Sequence, residues 1–406
     1  MNMWRVPYPK FGAGPGLERV KQVAAHLNLD LAALGQRGVV IVGSNGKGST
    51  AAMTAALLGR ATPDVGLFTS PHLLDLNERF RIGAEDVSDA ELGHHWRRAE
   101  DAIGACGLAE TMGGFEFLFL IAADWFQARG CAYTVWEAGL GGRLDPTRLI
   151  EARHVALTSL DFEHTELLGS TLREIALEKV AVAAPGARLA ISEAIAANGK
   201  VHNAIAHWCS GNGVMLSTVP ALSNAPLAGA HQLANAGLAV WLARSLAPLD
   251  EAHVQSGFGA TRWPGRLEML SRDPLEVIDV GHTPDGVRAS LASFRAMHAG
   301  GPSVLVCGVS ADKDVAGIVS LLAPRFDVVV CAPARHKGAP PALIAAHAQS
   351  ANPDAEIVLA DSVAEARRLA LAKAAGGAIY AAGGLFLAAE YKAVHLGRDP
   401  ASLAFF

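Results

Sequence analysis

Gly38-Val39-Val40-Ile41-Val42 is an unbroken apolar run, and Gly43-Ser44-Asn45-Gly46-Lys47-Gly48-Ser49-Thr50 follows it directly. The first five residues read as a strand buried on both faces. The Ala-rich segment Ser49 to Leu58 reads as the helix that comes next. Strand, glycine turn and helix in this order gather backbone N–H groups and the positive end of a helix at one point, which suits phosphate. Lys47 is then placed to reach terminal phosphates, and Ser49 to face Mg²⁺ or a phosphate oxygen. Gly43, Ser44, Asn45, Gly46, Lys47, Gly48, Ser49 and Thr50 are therefore the candidate nucleotide contacts. The plainer alternative is a strand–helix turn with an incidental lysine, and the order of the three elements speaks against it. The spacing is shorter than GxxxxGK[ST], so the loop alone leaves kinase, GTPase and ligase open.

Outward from this loop, the N-terminal part keeps alternating strand and helix. Tyr133 to Trp136 and Val155 to Ser159 are further short apolar runs ending in polar residues. A second series follows Trp263-Pro264-Gly265-Arg266: Glu276 to Ile278, Ser303 to Cys307, Phe326 to Cys331, Glu356 to Leu359 and Ala378 to Ala381. Helix-length Ala-rich segments separate these runs, the pattern of a doubly wound α/β domain. The Pro-Gly turn marks the expected boundary, with domains at 1–265 and 266–406. A chain of 406 residues has the length for two cores, and its 51% hydrophobic content supplies them.

Composition excludes several classes. Lys and Arg number 34 against 39 Asp and Glu, with no basic run, so a nucleic-acid footprint is not supported. A net charge of −5 still allows a local cationic pocket. Cys106, Cys131, Cys209, Cys307 and Cys331 are odd in number and contain no CxxC pair, which favours free thiols over disulfides or zinc. The start MNMWRVPYPK lacks the apolar core of a secretory signal. Phe115 to Phe126 is the most apolar stretch, but it is too short to span a bilayer and contains Glu116 and Asp124. A soluble, cytoplasmic protein without a membrane partner is expected.

Three further stretches can face the loop, because ligands gather at the carboxyl ends of parallel strands. Leu67 to His72 ends an apolar run in a Ser70-Pro71 turn; Glu137 to Asp145 sets a carboxylate before a glycine loop; Ser159 to Thr165 carries Asp161, Glu163 and His164. Ser70, Glu137 and His164 can together hold Mg²⁺. Taken singly, Ser70 is an ordinary turn residue and His164 an ordinary structural imidazole. Glu137 is the stronger candidate, since an acid at a strand end before a run of glycines is poor packing material.

In chain order the sequence contains SNGKGST, GLFTSPHL with NERFRI, EAGLGGRLD, EHTELLG with LEK, HQLANA, WPGR and ADKD. Together these resemble the folylpolyglutamate synthase/dihydrofolate synthase family of the Mur ligase superfamily, from about Gly16-Leu17-Glu18-Arg19 to Glu390. The resemblance implies an N-terminal P-loop ATPase domain and a smaller Rossmann-like C-terminal domain, with ATP and substrate in the cleft between them. It implies ATP and Mg²⁺, with two ions, as cofactors; Ser49, Ser70, Glu137 and His164 as metal positions; and Lys179 as a lysine that joins them when carbamylated. Asn235, Arg266 and Asp279 fall at nucleotide-side positions, with Arg266 nearing the γ-phosphate. Lys47, His164, Lys179, Arg266 and His282 are the implied catalytic set. Asp145, Arg148, His282, Thr283 and Gly384 are the implied substrate contacts. The implied reaction activates a carboxylate as an acyl phosphate, which the amine of glutamate attacks, and the implied state is a monomer acting on a pterin or folate acid.

Four positions depart from that pattern: Thr283 where Asn is usual, Gly384 where Ser is usual, Arg148 where Asn is usual, and Glu163 where Asp is usual. Three of them fall on the amino-acid side. They leave open a paralogue that couples another acid or amine. A GTPase would show an Asn-Lys-x-Asp motif, which the sequence lacks, and a non-ligase P-loop NTPase leaves WPGR and HQLANA unexplained. A binding protein without catalysis conflicts with the retention of Lys47, Glu137, His164, Lys179 and Arg266.

Overall fold

A computed structural model describes residues 4–298 and 300–405, so the first three residues of the start read above lie outside the described residues. Its strands form two sheets. The first contains β1 (Gly38–Val42), β2 (Val65–Phe68), β3 (Phe80–Ile82), β4 (Glu85–Asp86), β5 (Tyr133–Glu137), β6 (His154–Leu157), β7 (Arg188–Ser192) and β8 (Met215–Val219), in the order β4-β3-β2-β5-β1-β6-β7-β8. β2 to β8 across this order run parallel; β3 and β4 add an antiparallel edge. The second contains β9 (Glu268–Arg272), β10 (Leu275–Ile278), β11 (Ser303–Cys307), β12 (Val328–Cys331), β13 (Glu356–Leu359) and β14 (Ala378–Ala382), in the order β13-β12-β11-β14-β10-β9. Only β9 is antiparallel in it. The α/β reading and the two mostly parallel sheets agree.

The expected strands at 38–42, 303–307 and 356–359 have the bounds read from sequence. The expected run 155–159 stops at Leu157, because Thr158 and Ser159 leave the ladder to bind the glycine loop. The run 326–331 begins only at Val328. β3, β4, β7, β8 and β9 were not among the expected strands: β4, β8 and β9 are only partly buried, and β3 and β7 carry only two and three apolar residues.

Each face of the first sheet is covered. Gly114–Ala128 is a helix with apolar residues on nearly all sides, and it lies in the core on one face. Lys47–Leu58 and His231–Leu246 pack together on the other. Among the described residues no helix is long and apolar enough to cross a membrane. The five cysteines are free.

The two halves meet at a loop. Leu73 and Leu74 follow β2 in the chain, yet their side chains belong to the apolar cluster of the second sheet. Trp136 on β5 sits deep in the first half, with its ring 6.0 Å from Phe68, 5.4 Å from Phe119 and 5.2 Å from Phe126. Its indole N–H donates to Thr134 Oγ1 at 2.8 Å, so both its apolar and polar needs are met. Trp136→Ala should destabilise the first unfolding transition by about 3–5 kcal/mol, read as a lower urea midpoint, and Trp136→Phe by less.

Candidate active site

β1 ends in a loop that requires glycine at two places. Gly43 has φ +150° and Gly46 has φ +85°, conformations costly for a residue with a Cβ. A Cβ on Gly46 would also lie 2.5 Å from Asn235 Oδ1, and one on Gly48 2.3 Å from the Trp263 ring. The HQLANA and WPGR stretches thus press on the loop from outside. From beneath, the end of β6 pins it: Ser44 N–H donates to Ser159 O at 2.9 Å, Asn45 N–H to Ser159 Oγ at 2.9 Å, and Thr158 Oγ1 to Asn45 O at 2.6 Å. Lys47 Nζ folds back to Gly43 O at 2.8 Å and Ser44 O at 3.3 Å. Asn235 acts through a neighbour: its Nδ2 donates to Gln232 Oε1 at 2.9 Å, and Gln232 Nε2 reaches Ser49 Oγ at 3.3 Å. Thr50 closes the loop, buried at the start of the helix.

Glu137 ends β5, where the carboxylate is buried and accepts Ser70 N–H at 2.9 Å. Burial pushes its pKa up, against the pull of Lys47, Arg266 and Arg79, so three cations from different segments face this one acid. A second grouping lies behind the loop. Lys179 Nζ bonds Glu163 Oε1 at 2.7 Å and Gly43 O at 3.1 Å. Burial and the neighbouring Lys47 bring Lys179 down to about 8, with Glu163 opposing. Burial works upward on Glu163, but Lys47 and Lys179 outweigh it and hold the carboxylate low. His164, at φ +44°, is lowered by burial, so its imidazole is neutral near pH 7, the form that ligates metals.

The expected metal positions therefore fall into three contacts around one loop: Ser70 on Glu137, Ser49 on Gln232, and Lys179 beside Glu163 and His164. Among the described residues no three His, Cys, Asp or Glu side chains converge as a metal cluster. The expected set does not require it, having hydroxyls at Ser49 and Ser70 and one carboxylate at Glu137. Hydroxyl and carboxylate oxygens suit a hard cation such as Mg²⁺. A carbamate on Lys179 would set a second anion against Glu163 and would need a cation between them.

The remaining candidates divide. Asp145 accepts N–H groups of Gly139 (2.8 Å), Leu140 (3.1 Å) and Thr147 (3.0 Å) and the Thr147 hydroxyl (2.6 Å), so its contacts brace the glycine loop. Arg148 is exposed and donates to Arg143 O at 3.0 Å. Asp279 accepts Leu267 N–H at 3.1 Å and Gly281 N–H at 2.8 Å, which fixes the backbone next to Arg266. Arg266 is half-buried. His282 is lowered to about 4 by burial, with Arg266 and Lys313 adding to the effect, and its Nδ1 lies 3.3 Å from Val280 O. Thr283 caps the helix Pro284–Met297 through Gly286 N–H at 3.2 Å and accepts Asn45 Nδ2 at 3.4 Å, joining the second half to the loop. At Gly384 a Cβ would meet only Gly308 O and Ser310 Oγ, both at 3.9 Å, so packing does not demand glycine there. Glu163, Gln232, Arg79, Trp263 and Lys313 also face this region. Each lies inside one of the stretches that carry the family resemblance, but apart from Glu163 none had been singled out for a role.

The model for the Mur ligase glutamate ligase domain matches residues 265–384. A crystal structure of a bifunctional folylpolyglutamate synthase/dihydrofolate synthase with Mn, AMPPNP and L-glutamate bound is 30% identical, with a TM-score of 0.82, covering 94% of this chain and 94% of that one. This chain belongs to the folylpolyglutamate synthase/dihydrofolate synthase family. E. coli FolC in complex with DHPP and ADP is 26% identical with a TM-score of 0.84, covering 95% and 94%. A probable bifunctional folylpolyglutamate synthase/dihydropteroate synthase of Halobacterium salinarum is 31% identical over 94% of this chain. The chain spans about half the length of the archaeal relatives it matches, 49% and 43%. Family membership accounts for the loop, Glu137 and the second-half strand ends occurring together.

The low pKa of Lys179 has a consequence for stability. Folded, the amine loses its proton near 8; unfolded, it does so near the ordinary 10.5. Between these values the unfolded chain holds more protons, so the unfolding free energy rises with pH. Lys179→Met removes that contribution, while Glu163 stays ionised throughout. The stability of the wild type relative to Lys179→Met should therefore increase steadily from pH 8 to 10, measured by urea denaturation at each pH.

Proposed function

We propose that the chain is an ADP-forming ligase that joins L-glutamate to dihydropteroate, (tetrahydro)folate or both. The observation that carries this reading is the convergence of Lys47, Arg266 and buried Glu137 at a glycine loop that Thr283 reaches from the second half. The solved relatives support the ligands: one holds Mn, AMPPNP and L-glutamate, and another DHPP and ADP. The division we adopt is 1–265 for nucleotide and acceptor acid and 266–406 for the amino-acid side, in a cytoplasmic monomer.

In this reading the loop N–H groups and the helix Lys47–Leu58 receive the ATP phosphates. Lys47 swings from its carbonyls onto the terminal phosphate. Ser49, Ser70, Glu137 and His164 would hold Mg²⁺, with Lys179 joining them if carbamylated. The bound ion supplies charge neutralisation between phosphate and carboxylate. Arg266, held beside Glu137 and fixed through Asp279, offsets the charge that spreads over the transferring phosphoryl oxygens. The acceptor carboxylate attacks the γ-phosphate, ADP leaves, and the acyl phosphate is shielded by the closed halves. The glutamate amine then attacks the acyl carbon, phosphate leaves, and an amide remains. His282 and Thr283 face this second step across the cleft, while Asp145 holds the glycine loop in place.

A second reading, a paralogue for another acid or amine, draws on Gly384. Space for a side chain exists there, so the missing hydroxyl is not forced by crowding. Phosphate release with ATP, glutamate and dihydropteroate or tetrahydrofolate separates the two. Glutamylated product is expected with at least one folate acid, and turnover of a different pair alone would select the paralogue. Lys47→Ala should lower amide synthesis by at least about a hundredfold, since it removes a charge from the transition state; near wild-type synthesis would refute the loop assignment.

A further inference from the structure

The loop that carries Ser70 is gripped from both halves of the molecule. Within the first half, Ser70 N–H donates to Glu137, and the Glu78 carboxylate accepts the N–H groups of Leu73, Leu74 and Asp75 at 2.7, 2.9 and 3.1 Å. From the second half, the segment 396–405 returns across it. Arg398 forms a two-pronged ion pair with Asp75 at 2.7 and 2.8 Å. The Phe405 ring stacks on His72 at 5.6 Å and 12°. His72 Nε2 lies 2.7 Å from Ala404 O.

The hydrogen bonds of His72 fix its tautomer. A carbonyl oxygen only accepts, so Nε2 carries the proton and donates to Ala404 O. Nδ1 is then a lone pair, and it accepts Arg79 Nε–H at 2.9 Å. Arg79 is itself fully buried, and Glu137 is the foremost charge acting on it. Hydrogen bonds thus link Ala404 through His72 to Arg79, whose charge in turn acts on the acid beside Ser70.

We propose that His72 and Arg79 are positioning residues that transmit the docking of segment 396–405 to Glu137, so that Ser70 and Glu137 keep a cation-holding arrangement only while that segment is seated. The inference rests on the reading of Glu137 as a metal-holding carboxylate. Its physical basis is competition. With Nε held by His72, the guanidinium offsets the charge of Glu137 from a fixed position. Once the segment lifts, the His72 ring loses its anchor and turns, and without the His72 acceptor the Arg79 guanidinium shifts relative to Glu137 and competes there with the divalent ion. Seating of the second half would then be felt at the metal before any substrate contact is made.

The test measures Mn²⁺ binding by electron paramagnetic resonance, with a non-hydrolysable ATP analogue present and no turnover. Full-length wild type is compared with His72→Phe, His72→Gln, Arg398→Ala/Phe405→Ala and Glu137→Ala, each checked for fold by circular dichroism. His72→Phe and the double variant should each weaken Mn²⁺ binding at least about tenfold, the usual effect of losing a ligand's supporting partner. Combining them should add little, because both break one line. His72→Gln keeps an acceptor for Arg79 and a donor for Ala404, and should bind Mn²⁺ nearly as the wild type does. Wild-type affinity in His72→Phe, or in the double variant alone, would overturn the proposal. Unchanged binding in Glu137→Ala would instead defeat the underlying reading of Glu137, so the two failures are distinguishable. The double variant alters partly exposed side chains, so it answers the question even where His72→Phe fails to fold.

Discussion

A carboxylate buried at the end of β5 organises this molecule. An ionised acid out of water is costly unless opposite charge surrounds it. Glu137 meets that condition with Lys47 from the glycine loop, Arg79 from the β2–β3 connection and Arg266 from the start of the second half. No one of these segments is near another in sequence. The fold brings them together because β5 lies between β2 and β1 at the centre of a parallel sheet, where strand ends and their loops converge. The excess of cations then leaves a site that favours an incoming polyanion, although the chain as a whole is negative.

The same constraint explains why the two halves are linked where they are. Leu73 and Leu74 leave the first half to fill the core of the second, and Asp279 sets the backbone that presents Arg266. The contact of Asn45 with Thr283 is long for a hydrogen bond, at 3.4 Å, and contributes modestly. Most of the link is apolar packing and the Arg398–Asp75 pair at the edge. Such a seam holds the two sheets in register around the glycine loop.

Most buried strands and the glycine loop were legible in sequence, because each has a signal confined to a few neighbouring residues, although β7, with only three apolar residues in a row, was not. An apolar run such as Ser303–Cys307 leaves few alternatives, and Gly43 and Gly46 are required by positive φ. The edge strands β4 and β8 were not legible: β8 is half exposed and β4 is two charged residues long. Within the site, Lys47, Glu137 and Lys179 could be named because they sit in ordered motifs. Glu163 was named beside His164 and as an exchange of one acid for another but given no role, although it is the ion-pair partner of buried Lys179. Gln232 and Arg79 act through contacts such as those with Ser49 and His72, and pairings of that kind exist only once the chain has folded.

Two of the altered positions share a physical property. Arg148 is exposed, and a Cβ at Gly384 would meet only two atoms, both at 3.9 Å. Neither is held by several side-chain partners at once, whereas the Thr283 hydroxyl serves both Gly286 and Asn45. Asp145, Asp279 and Glu137 each satisfy two or more demands, from backbone N–H groups or from charge, and a change at any of them would strand a buried group. Arg148 and Gly384 can therefore vary at little cost to the fold, whereas Asp145, Asp279 and Glu137 cannot. In the proposed reading, the departures from the family pattern at Arg148, Gly384 and Thr283 bear on the choice of amine more than on the activation of the acid.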